Sequence, residues 1–91
     1  MLDQNKRRSN SHRCQLDVIA DILNASHTGA KKTHLMYHCN MSFRQVKYYL
    51  DLLLKRKLLH EIKDHNPSIF KTTNKGKRFL EVYKDLKALM E

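Results

Sequence analysis

The stretch from Asn40 to Arg56 constrains this chain more than any other, because as a helix it has two unlike sides. At about 100° per residue, Val46, Tyr49, Leu50 and Leu53 share one side, flanked by Phe43 and Leu54, while Arg44, Lys47, Tyr48, Asp51 and Lys55 line the opposite one. The first side requires a core to lie on. The second is mostly basic and able to hydrogen-bond. Ser42 is placed to cap the helix by accepting from the backbone N–H of Gln45, and Gln45 stands where its side chain completes a capping box.

The charge balance selects a partner for that basic side. Lys and Arg total 18 against 9 acids, giving a net charge of +9 and a pI near 9.8. Such an excess attracts a polyanion, with nucleic acid as the first expectation and an anionic membrane as its rival. No apolar run approaches the ~18 residues of a membrane span, and the N-terminus lacks the apolar core of a signal peptide, so no membrane partner and a cytoplasmic location are expected. The 91 residues, 41% hydrophobic and 30% charged, suffice for one folded domain with one modest core. Cys14 and Cys39 are too few for a disulfide framework, and their spacing matches no zinc motif. Without a Gly-rich phosphate loop the chain also lacks the usual means of binding a nucleotide, and no cofactor is expected.

Ahead of the central helix, residues 1–9 have no apolar period and concentrate Lys6, Arg7 and Arg8, which predicts a loosely attached basic arm. Asn10 or Ser11 then caps a first helix running to about residue 25, with Leu16, Ile19, Ala20 and Leu23 as its core stripe. Cys14, Val18, Ile22 and Ala25 form a second apolar line on the other side, for which a subunit contact is the natural outlet. Residues 30–38 read as a short helix with Leu35 and Met36 inward, and Lys31, Lys32 and Thr33 at its start suit a phosphate. Asn40, in the link Cys39-Asn40-Met41, is the candidate for a left-handed turn residue. A short helix, a tight turn and a longer capped helix describe a helix-turn-helix.

Beyond Lys57, residues 58–63 and 68–73 are β-prone runs separated by the turn-forming Asp64, His65, Asn66 and Pro67. A hairpin after a helix-turn-helix predicts a winged helix, an α+β fold that is mainly α, with His65 and Asn66 at the wing tip and Lys63 and Lys71 on its arms. Thr73 caps a last helix over residues 74–90, in which Gly76 lowers stability slightly. Phe79, Val82, Tyr83, Leu86, Leu89 and Met90 recur along it at the helical period. The expected organisation is a basic arm over 1–9, a winged-helix domain over 10–73 and a dimerisation helix over 74–91 that pairs with a second copy, joined by Cys14, Val18 and Ile22.

The run KTHLMYHCNMSFRQVKYYL at residues 32–50, with Leu58-Leu59 and then FKTTNKGKRFL at 70–80, resembles a family of small archaeal winged-helix proteins. The likeness spans roughly residues 11 to 90 and rests on two separated motifs in the right order. It implies DNA binding, in transcriptional regulation or as a chromatin-associated protein, and dimerisation through the C-terminal helix. Two departures stand out. Lys57 occupies the place where a Gly usually precedes the Leu-Leu pair, at a steric cost on the order of 1 kcal/mol for a left-handed conformation, or else the helix ends differently. The last helix, about 17 residues or ~25 Å at 1.5 Å each, is short for a long antiparallel coiled coil.

The chemistry expected of the central helix is groove recognition. Arg44 or Lys47 suits guanine O6 and N7, Gln45 adenine N6 and N7, and Tyr48 a phosphate or a thymine methyl, with Ser42 and Lys55 on the same surface. Arg and Lys more often contact phosphate than bases. Asp51 is placed to pair with Lys47 or Lys55. His34, His38 and Cys39 make the best case for a metal, a weak one because a further ligand is needed. The acids are scattered and no nucleophile–base pairing has a local signature, so no enzyme is expected. The expectation is therefore a homodimeric transcriptional regulator on double-stranded DNA. A general DNA-coating protein, an RNA binder, or a protein-interaction module docking through Tyr37, Phe43 and Tyr48 are the alternatives.

Overall fold

A computed structural model describes residues 14–64 and 66–91. The expected arm over 1–9, the caps Asn10 and Ser11, and the wing-tip His65 lie outside these. The elements run α1 (Gln15–Ala25), β1 (Ala30–Lys31), α2 (Lys32–His38), α3 (Phe43–Lys55), β2 (Leu59–Ile62), β3 (Ile69–Thr72) and α4 (Asn74–Leu89). The three strands form an antiparallel sheet in the order β1-β3-β2. This is the expected winged-helix arrangement, mainly α with a small sheet.

Two local expectations need correction. The first helix starts at Gln15, later than Asn10 or Ser11 would have capped it, because Cys14 holds an extended backbone at φ −77° and ψ 163°. Residues 30 and 31, expected to open the second helix, instead form β1, pairing Ala30 with Phe70 and Lys31 with Ile69. Gly29, at φ +114°, turns the chain into that pairing, and Ala30 is buried beneath it. A strand of two residues is too short to show a period of two. The hairpin falls within its predicted limits, with Leu59 opposite Thr72 and Ile62 opposite Ile69.

The turns on either side of α3 have one design. Asn40 and Lys57 are both left-handed, at φ 54° and 63°. After α2, the N–H of Met41 reaches the carbonyl of Met36 at 2.9 Å and that of Asn40 reaches Tyr37 at 3.3 Å. After α3, Leu58 N–H reaches the Leu53 carbonyl at 2.9 Å and Lys57 N–H reaches Leu54 at 3.1 Å. Both sets are Schellman closures, which satisfy carbonyls that a helix end otherwise leaves orphaned. Lys57 therefore adopts the conformation for which Gly is the usual residue.

The core joins Ile19, Ile22 and Leu23 of α1 to Leu35, to Val46, Leu50 and Leu53 of α3, and to Leu59 and Phe70 of the sheet. Ile22, expected at a subunit contact, is fully buried within the chain, whereas Leu16, expected in the core, is 45% exposed. Ile22 is covered because α1 lies against α2 and β3 as well as α4, so its buried arc is wider than one stripe, while Leu16 stands in the first turn of α1. Val18 is half-buried against the same core. The first half of α4 joins in through Phe79 and Leu80.

Gly76 has a role that its low helix propensity conceals. A Cβ there would lie 2.4 Å from the carbonyl oxygen of Leu58 and 2.6 Å from Cγ2 of Thr72. The start of α4 thus crosses the exit of α3 with no room for a side chain. Thr72 fixes the other side of this junction, donating from its buried hydroxyl to the Leu23 carbonyl at 2.6 Å.

Candidate nucleic-acid interface

The outer side of α3 is built from its cap onward. Ser42 Oγ accepts from Gln45 N–H at 3.1 Å, and Gln45 Oε1 accepts from Ser42 N–H at 2.9 Å, so the expected capping box is formed. With Val46, Leu50 and Leu53 turned into the core, Arg44, Lys47, Tyr48, Asp51 and Lys55 are exposed. Lys47 Nζ lies 3.8 Å from Asp51 Oδ2, the pairing expected one turn apart. Both groups are well solvated, so the pair contributes little to stability and leaves the lysine available to a phosphate.

Several side chains have partners that the helical period does not suggest. The side-chain carbonyl of Gln45 is engaged by the cap, which turns this side chain back along its own helix. Tyr48 accepts a hydrogen bond from Gln15 Nε2 of α1 at 3.3 Å and meets Tyr49 edge-on. Phe43, expected to flank the core, is 56% exposed. It is the first residue of the helix, ahead of the turn that packs, and Lys32 Nζ of α2 lies 4.6 Å from the centre of its ring. A cation over an aromatic face is attracted by the ring's quadrupole.

At the start of α2, Lys31 and Thr33 are exposed and Lys32 is half-buried beside Phe43. These residues face the wing across an open cleft of about 310 Å³, lined also by Glu61, Ser68 and Phe70. On the wing, Lys63, Asn66 and Lys71 are exposed. The cleft therefore brings the start of α2 next to the wing base, two groups that the sequence offers separately.

The far end of α3 is tied to α4. Lys75 Nζ donates to the Arg56 carbonyl at 2.8 Å, and the Thr73 hydroxyl donates to the Lys57 carbonyl at 2.7 Å. Sequence reasoning links neither Lys75 nor Thr73 to α3. Their places in the motif FKTTNKGKRFL are the available signal.

The residues expected at a dimer contact divide. Phe79 and Tyr83 are half-buried and stack at 6.4 Å. The Tyr83 hydroxyl donates to Asp17 of α1, and Lys87 Nζ lies 3.8 Å from the same carboxylate. Cys14, exposed at the head of α1, donates to Asp17 at 3.3 Å. The hydrogen bond from Tyr83, helped by Cys14 and the Lys87 charge, holds the Asp17 carboxyl below its ordinary range. In turn the carboxylate, with partial burial, pushes the Tyr83 phenol up to about 12. Val82, Leu86 and Leu89 on α4 and Met90 at its C-cap stand exposed, with fractional exposures from 47% at Leu86 to 82% at Leu89.

His34 and His38 stack with ring centres 5.6 Å apart, while Cys39 is buried in the core. Among the described residues, no three His, Cys, Asp or Glu side chains are grouped so as to hold a metal ion. Nor, among them, is any helix long and apolar enough to cross a membrane.

A family model described as winged helix-turn-helix matches residues 12–91. Among solved structures, the chain is similar to Sso10a-2, a DNA-binding protein from Sulfolobus solfataricus, with a TM-score of 0.79 at 22% identity over 86% of this chain and 82% of that one. At that identity the likeness is one of fold. No curated protein sequence matches the chain.

Proposed function

We propose that this chain, which belongs to the winged helix-turn-helix family, binds double-stranded DNA as a homodimer and regulates transcription. One observation carries the reading: α3 buries Val46, Leu50 and Leu53 while presenting Arg44, Lys47, Tyr48 and Lys55 outward, in a chain of net charge +9. In helix-turn-helix proteins the N-terminal part of this helix meets base edges in the major groove. Arg44 and Lys47 are assigned there, with Ser42 and Gln45 holding the first turn. Lys31, Lys32 and Thr33 on one side, and Lys63, Asn66 and Lys71 of the wing on the other, are assigned to phosphates. The Sulfolobus protein of similar fold is a DNA-binding protein, which supports the same partner. Such a role places the chain in the cytoplasm and requires no catalysis.

Titrating duplex DNA in rising salt tests this reading. Neutralising phosphates releases counterions, so affinity falls steeply with salt when several lysines and arginines make contact. Absence of duplex binding at low salt would overturn it. A general DNA-coating role is the second reading, favoured by the engagement of Gln45 in the cap. Selection from random duplexes separates the two, since a coating protein returns no motif.

For the dimer, Val82, Leu86, Leu89 and Met90 are the assigned contact on α4, with Cys14 and Val18 at the head of α1 beside it. The exposed apolar line on a helix whose other side is anchored to its own chain through Phe79, Leu80 and Tyr83 supports this assignment.

A further inference from the structure

Four residues precede the buried Val46 at the leading end of α3: Ser42, Phe43, Arg44 and Gln45. Ser42 and Gln45 are engaged with each other through the capping box. Arg44 is left as the polar side chain of that turn and Phe43 as the apolar one. Phe43 has no polar side-chain atom, is 56% exposed, and carries the ammonium of Lys32 at 4.6 Å from its ring centre.

We infer that Phe43 is a specificity-determining residue that reads the C5 methyl group of thymine in the major groove. The inference rests on the DNA-binding reading above and names what that surface recognises. A partner covering this ring also meets the Lys32 ammonium beside it. An apolar protein surface would cover the ring but strip the ammonium of water without replacing its hydrogen bonds, at considerable cost. A duplex supplies both needs, with a phosphate for Lys32 and an apolar group for Phe43. Of the groups that base pairs expose in the major groove, the thymine methyl is the apolar one, and phenylalanine is among the side chains that meet it. Uracil lacks this methyl, so the same contact separates DNA from RNA of equivalent sequence.

The test uses two duplexes of one A·T-rich sequence, the second with deoxyuridine at every thymine position, titrated by fluorescence anisotropy at one low salt concentration. Wild-type protein binds the thymine duplex more tightly, by about two- to fourfold for each methyl covered, the factor expected for burying one such group. Phe43→Ala binds both duplexes alike, and Phe43→Leu keeps part of the preference. Equal wild-type affinity for the two duplexes overturns the inference and leaves the DNA-binding reading standing. A preference that survives in folded Phe43→Ala overturns the assignment to this residue. Failure of wild-type protein to bind either duplex overturns both readings. The wild-type comparison stands whether or not the variants fold.

Discussion

The hydroxyl of Thr73 donates to the main-chain carbonyl of Lys57 at 2.7 Å while accepting from Gly76 N–H at 3.0 Å, so one side chain closes α3 and opens α4. The left-handed Lys57 points its carbonyl at that hydroxyl. Thr73→Val keeps the shape and removes both hydrogen bonds. It should lower unfolding free energy by about 1–2 kcal/mol in urea denaturation, the usual cost of removing a cap. An unchanged midpoint would mean that the junction is held elsewhere.

At Lys57 itself, the left-handed backbone costs a non-glycine residue on the order of 1 kcal/mol. Lys57→Gly removes that cost, offset in part by the freer unfolded chain, and should be neutral to slightly stabilising. Lys57→Val should be destabilised relative to wild type, because a β-branched residue fits this region worst. The order Gly, Lys, Val in denaturation midpoint checks the account.

Gly76→Ala should destabilise by about 1–3 kcal/mol, since the new Cβ meets the Leu58 carbonyl and the Thr72 methyl. Helix propensity alone argues the opposite, favouring Ala by about 1 kcal/mol. The sign of the change in thermal denaturation thus decides between close approach and propensity.

These three residues mark the limits of what is legible in the chain. The periodicity of residues 43–55, the Ser42–Gln45 box, the left-handed Asn40 and the order of helices and hairpin can be read because each depends on neighbours within a turn or two. Gly76 reads as a mild defect because its reason, the Leu58 carbonyl, lies far away in sequence. Ile22 falls on the wrong side for a similar reason: one apolar helix side cannot report how many neighbours will cover it, and α1 meets α2, β3 and α4, with Gln15 reaching Tyr48 of α3 as well. The exposure of Phe43 follows from its place at the helix start, where angular position gives poor guidance to burial. Of the interface, the set of exposed side chains on α3 is legible; the pairing of Lys32 with Phe43 is not, since it joins two helices.

The Asp17–Tyr83 hydrogen bond gives stability a dependence on pH at both extremes. Tyr83, raised to about 12, favours the folded state fully below the ordinary tyrosine value of about 10, and that contribution disappears as pH rises through about 12. Asp17, lowered, contributes above its ordinary value of 3.8, and its contribution disappears as pH falls through its depressed folded value. The stability difference between wild type and Tyr83→Phe should be level between roughly pH 5 and 9 and shrink on both sides. A difference that does not vary with pH would place the effect of Tyr83 in packing alone.

The proposed dimer predicts that Leu86→Glu reduces the solution mass to that of one chain, because a charge would stand in the middle of the exposed line on α4. Sedimentation equilibrium at micromolar concentration checks this. Wild-type protein that is already monomeric would remove the homodimer from the account.

Duplex binding by Arg44→Ala/Lys47→Ala tests the assignment of α3 most directly. Both side chains are exposed, so the variant should keep its fold and unfolding midpoint. Its affinity for duplex DNA should fall, and the slope of log affinity against log salt should become shallower by about one for each phosphate that is no longer neutralised. A folded double variant with wild-type affinity and wild-type salt dependence would contradict the claim that this face of α3 meets DNA.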